Sequence, residues 1–161
     1  MTALAADRNT QSREATLKSY PVEAGEKIYK GALVTIDDDG YLMPGQDVAN
    51  HRCVGVADEN VDNTGGADGA KSCRVMSGRA FRFAATSITQ AMLGDVMYIV
   101  DDQTFDDAAG VTNEVPCGRL IEFISTTEGW IFIPTGPLRK AGLTDSTYSA
   151  NEQALIDDNL N

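Results

Sequence analysis

Histidine occurs once in this chain, at His51, and cysteine three times, at Cys53, Cys73 and Cys117. Any Ser-His-Asp or Cys-His mechanism, and any multi-histidine metal site, would have to pass through His51. That residue lies in the polar connection Gln46 to Arg52, beside no nucleophile motif, and reads as an exposed loop histidine. The cysteines are odd in number, widely spaced and without a C-x-x-C pair, a pattern that predicts reduced, buried thiols rather than a zinc or redox site. No apolar run approaches the roughly 18 to 20 residues that a membrane-spanning helix needs. The first residues carry no basic-then-apolar signal pattern, so a chain made and folded in a cytoplasm, without a membrane partner, is expected. Aromatics are 7% of the residues, few for the wall of a sugar-binding pocket. Positive charge is scarce as well. Thirteen Lys and Arg stand against 24 Asp and Glu, and a net charge of -11 repels phosphate backbones, making nucleic acid a poor partner.

Motifs that carry chemistry fail on particular residues. Gly66 to Ser72 approaches a phosphate loop, but Ala70 separates Gly69 from Lys71 where that motif needs Gly and Lys adjacent. Asp37, Asp38, Asp39 and Gly40 suggest a calcium loop, yet Val48 stands where the bidentate glutamate belongs, so a tight turn is expected. Asp101, Asp102, Asp106 and Asp107 form another acidic cluster, at which weak calcium binding in a partner-bound state stays an open alternative. Neither a Gly-x-Ser-x-Gly elbow nor an H-E-x-x-H helix occurs. No catalytic residue, cofactor or metal site is expected.

What the sequence does contain is enough for one domain. At 161 residues, with 42% apolar and 23% charged, the chain has globular composition. Residues 1–13 are small and polar and read as a flexible N-terminal arm. Residues 14–134 carry the β pattern. Residues 135–161 read as a polar C-terminal tail, in which Ser149, Glu152, Leu155, Ile156 and Leu160 allow a capped short helix.

Within the middle segment, alternation from Glu14 to Pro21 predicts an edge strand. Ala32 to Ile36 and Tyr41 to Met43 form a hairpin about the aspartate turn. Val54 to Ala57, Ser72 to Met76, Ala80 to Ala84 and Val96 to Val100 predict strands. Asn60 to Gly69 reads as a long exposed loop, and Thr104 to Pro116 as irregular. Ile88, Ala91 and Met92 recur at helical spacing, predicting a helical turn or two that Gly94 stops. Gly118 to Ile124 and Trp130 to Ile133 make a second hairpin, with Trp130, Phe132 and Tyr98 expected in the core more than at an interface. Short strands with turn signals every eight to twelve residues predict an all-β, mainly antiparallel barrel or sandwich-like domain with one short helix.

The order of certain segments resembles that of the phage capsid cement, or head decoration, family. These are Val22-Glu23-Ala24-Gly25-Glu26-Lys27-Ile28-Tyr29-Lys30-Gly31-Ala32-Leu33-Val34 with Asp39-Gly40-Tyr41, then Val54-Gly55-Val56-Ala57 and Asp62 to Lys71. Val75, Phe81-Arg82-Phe83, Leu93 to Asp101 and Cys117-Gly118-Arg119-Leu120-Ile121 continue the match, which covers about residues 14 to 134. The resemblance implies a small non-enzymatic β protein, a homotrimer on the exterior of a virion's icosahedral shell, with the major capsid protein as partner. The arm, about Thr2 to Ser19, would order on docking and add a strand to a capsid sheet edge. Arg8, Arg13, Leu17 and Lys18 are the residues expected to meet the capsid. Another virion component, such as a tail or head-fibre base protein, and a small-ligand or carbohydrate-binding barrel are the alternative readings.

Overall fold

A computed structural model describes residues 11–140. Twelve strands follow one another: β1 (Leu17–Pro21), β2 (Lys27–Ile28), β3 (Leu33–Ile36), β4 (Leu42–Pro44), β5 (Arg52–Ala57), β6 (Val61–Asp62), β7 (Ser72–Met76), β8 (Arg79–Ala85), β9 (Val96–Ile99), β10 (Thr104–Asp106), β11 (Pro116–Ser125) and β12 (Glu128–Ile133). All but one of the pairings are antiparallel; β10 runs parallel to β8 at Thr104↔Ala84 and Phe105↔Ala85. The protein is therefore all-β, as its turn-punctuated sequence predicts.

Two sheets carry the architecture. The second half of the chain closes into a five-stranded barrel in the order β10-β8-β12-β11-β9, with β9 returning to β10. The first half forms a five-stranded sheet in the order β1-β7-β5-β3-β4, beside the small β2-β6 ladder. This sheet curls on itself. Val22, just past β1, bridges Leu42 of β4, and the Glu23 amide donates to the Leu42 carbonyl at 3.0 Å.

Each sheet has its own core, and β3 and β5 form the wall between them. Val34, Ile36, Val54 and Ala57 point into the first core with Val22, Ile28, Leu42 and Val75. Leu33, Cys53 and Val56 point the other way, into the barrel core built from Ile88, Met97, Ile99, Phe105, Leu120, Ile131 and Ile133. Strands buried on both faces lose the polar alternation of a half-exposed sheet, which is why this stretch is almost continuously apolar. Gly55 makes the wall possible. At φ 140° it sits in a bulge opposite Val34 and Thr35, and an added Cβ would lie 2.1 Å from the Met76 carbonyl oxygen.

Several local expectations need correction. The helical stretch is a single 3-10 turn at Gln90–Met92; Gly94, at φ 94°, follows it. Asn60 to Gly69 is not simply an exposed loop, because Val61 pairs with Ile28 and Asn63 is fully buried. Its Nδ2 donates to the carbonyls of Val22, Glu23 and Ala67 at 3.2, 2.8 and 3.1 Å, pinning the loop to the first core. Within Thr104 to Pro116, Phe105 is a fully buried core residue of β10, and Asp107 caps the 3-10 turn Ala108–Gly110 by accepting from Ala109 and Gly110. Trp130, Phe132 and Tyr98 do not fill the core. Their neighbours Gly129, Ile131, Ile133, Met97 and Ile99 do, so strand alternation turns the three aromatics outward. Residues 135–140 stay on the body, with the Leu138 amide donating to the Cys53 carbonyl at 2.9 Å. The expected C-terminal helix lies outside the described residues.

Candidate docking surface

Of the four residues expected to meet a partner, Arg8 lies outside the described residues. Arg13 is exposed, and Leu17, 48% exposed, opens β1. Lys18 is half-buried and lies 5.3 Å above the Tyr20 ring, on the opposite face of the strand from Leu17. The alternation follows from Tyr20, which packs against the first core and so commits its face of β1 inward. Leu17 to Ser19, expected to order only on docking, are already strand residues paired with β7 from Leu17↔Met76 to Pro21↔Ser72. Further back, the Thr16 carbonyl accepts from Ser77 at 2.9 Å. Among the described residues the outer edge of β1 pairs with no other strand, so it can still accept one.

A second face lies where the sequence placed its aromatics only as the less favoured alternative to the core. On the outside of the barrel, β8, β12 and β11 place Ala80, Phe132 and Arg119 in one cross-strand row, and Arg82, Trp130 and Glu122 in the next. A register shift after Leu120 leaves Ile121 as an extra residue on β11, and it is 51% exposed, with Phe132 at 40%. Arg82 borders this strip in a two-point ion pair with Glu128, Nε to Oε1 and Nη2 to Oε2, both 2.7 Å. That pair raises the Arg82 pKa and lowers that of Glu128. Aromatic side chains beside arginines are the composition of energetically dominant interface residues. A signal for this face was present. Glu128 has the same parity as Trp130 and Phe132, and a charged residue in a half-exposed strand marks the wet side.

The residues tested for chemistry have structural roles. His51 is half-buried rather than exposed, and burial pushes its pKa down. Its Nδ1 lies 3.5 Å from the hydroxyl of Thr35, a fully buried residue out of reach of a substrate. Cys53, Cys73 and Cys117 are free and buried; burial pushes the first two thiols up to about 12 and about 11, and Cys117 well above its ordinary value. Such thiols stay protonated at neutral pH and are poor nucleophiles. Asp37 closes the tight turn expected of it by accepting from the Tyr41 amide at 2.8 Å. In the glycine-rich loop, Lys71 donates to the Asp62 carbonyl. Asp62, held at about 2 by the hydroxyl and amide of Thr64 and by Lys27, orders the ladder edge. Among the described residues no group of three or more His, Cys, Asp or Glu side chains could hold a metal ion, and no helix is long and apolar enough to cross a membrane.

No family model matches the sequence, and no curated protein is significantly similar to it.

Proposed function

We propose that this protein is a decoration, or cement, protein of a phage capsid, binding the outer face of the mature icosahedral shell as a homotrimer and stabilising it. The observation that carries this reading is the pair of outward-facing features on a well-packed β body. One is the open edge of β1, with Arg13 and Leu17 beside it; the other is the aromatic strip of Trp130 and Phe132 with Ile121, edged by Arg82. The barrel lumen holds packed side chains such as Phe105, Leu120 and Ile131, which weighs against the carbohydrate-binding alternative.

The mechanism is linkage. A subunit that binds the expanded shell better than its precursor stabilises that state by its binding free energy, and a trimer spanning several capsomers multiplies the effect through effective concentration. In this assignment the aromatic strip serves contact between copies, and the β1 edge with the preceding arm serves the major capsid protein. The chain's net charge of -11 keeps exposed copies from associating indiscriminately. The test is to titrate purified protein onto empty expanded capsids of the phage that carries it. Saturable binding with a raised capsid melting temperature is expected, and deletion of residues 2–13 should lower occupancy. Absence of the protein from purified virions would refute the proposal.

A further inference from the structure

Beside the barrel hairpin, an open cleft of about 280 Å³ lies between the outer face of the β9-β11 pair and the segment that follows β12. Its floor is Val96, Tyr98 and Pro116, neighbours across the two strands, and Leu138 forms a wall. That wall is fixed, because the Leu138 amide is bonded to the Cys53 carbonyl of β5. At the rim, Lys140 is bound to Glu114 at 2.7 Å, which cancels both charges. The remaining lining charges are Arg119 and Arg139, and neither has a carboxylate partner among the described residues. Arg119 is held in place by one bond, Nη1 to the Gly94 carbonyl at 2.8 Å, which leaves most of its guanidinium donors unused. The Tyr98 hydroxyl is half-buried at the same place, and burial, followed by Glu114, raises its pKa, keeping it a neutral donor.

An apolar floor with two guanidinium groups that meet no carboxylate among the described residues is unusual on a molecule of net charge -11. From this charge complementarity we infer that the cleft is a docking site for an extended acidic peptide of a partner protein. An apolar side chain would lie on Val96, Pro116 and Leu138, and an adjacent carboxylate would bridge Arg119 and Arg139. The volume suits one or two side chains rather than a whole small-molecule ligand. Guanidinium-carboxylate pairs are short, directional and about twice as strong as neutral hydrogen bonds, so the carboxylate supplies the selectivity. The inference does not depend on the capsid reading, since a peptide can be bound by a protein that never meets a shell.

The experiment is a titration of the isotope-labelled full chain with the capped peptide acetyl-Leu-Asp-Leu-Glu-amide, followed by amide chemical shifts. Saturable shifts confined to residues around Val96, Tyr98 and Arg119 are expected. The uncharged peptide acetyl-Leu-Asn-Leu-Gln-amide, and the Arg119→Gln/Arg139→Gln variant with the acidic peptide, should each bind about tenfold more weakly. Both arginines are exposed, so the variant's spectrum should otherwise overlay that of the parent. No shifts at millimolar peptide, shifts centred elsewhere, equal binding of the uncharged peptide, or undiminished binding by the variant would each overturn the inference.

Discussion

Glu23 is a carboxylate in the wrong company. Its Oε2 is buried without a hydrogen-bond partner, and burial, then Asp37, Glu26, Asp68 and Asp39, raise its pKa. A carboxyl whose folded pKa lies above its unfolded value of about 4.5 favours the fold at pH below that value. That contribution is lost as pH rises through the folded pKa. Glu23→Gln should therefore raise the melting temperature at pH 7 by a few degrees, and the gap should close below about pH 4.5; calorimetry at the two pH values reads it, and an unchanged midpoint at pH 7 would refute it. Asn63 is the opposite case, a buried amide whose two N–H groups serve three carbonyls. Asn63→Asp turns those donors into a carboxylate oxygen facing carbonyl oxygens and should cost about 1–3 kcal/mol in urea unfolding. Neither role was legible in the sequence, where Asn63 stands in a run of Gly, Thr and Asp that has every mark of a loop.

Among the elements, β5 depends most on one residue. Gly55 combines a positive φ with an approach to the Met76 carbonyl that excludes a side chain. Gly55→Ala should destabilise the protein by at least about 2 kcal/mol, since strain in this region of φ and the steric conflict act together. Comparison with Ala57→Gly, a cavity in the same strand, should show the glycine substitution to be the milder change. The strands were legible wherever turn residues bracket them. β7 spans Ser72–Met76 as its pattern predicts, and both hairpins pair as expected. Short elements were missed. β2, β6 and β10 are two or three residues long, too short for a period to register, and only the tertiary neighbours of Phe105 and Val61 make them strands.

For the whole molecule, the decisive property is which apolar residues remain outside. If the strip of Trp130 and Phe132 joins copies of the chain, Phe132→Lys should shift sedimentation of the protein, free or shell-bound, from trimer toward monomer. Its melting temperature should change little, because Phe132 is 40% exposed. A trimer that survives Phe132→Lys and Trp130→Glu would move the contact elsewhere. Trp130, the one tryptophan, also reports directly: its emission should shift to the blue on assembly, as the half-exposed ring loses water.

By itself the sequence determined that this would be a reduced, acidic, all-β body. Composition, turn chemistry and the period of two are local properties that act on each segment alone. Only the tertiary structure decided which side of each strand is inside. In Trp130 to Ile133 both parities are apolar, so these four residues do not choose between them, and within the strand only Glu128 marks the wet side. The choice is made by neighbours distant in the chain, since Ile131 and Ile133 pack beside Leu120 and Ile88 in the barrel lumen, and strand alternation then leaves Trp130 and Phe132 on the outside.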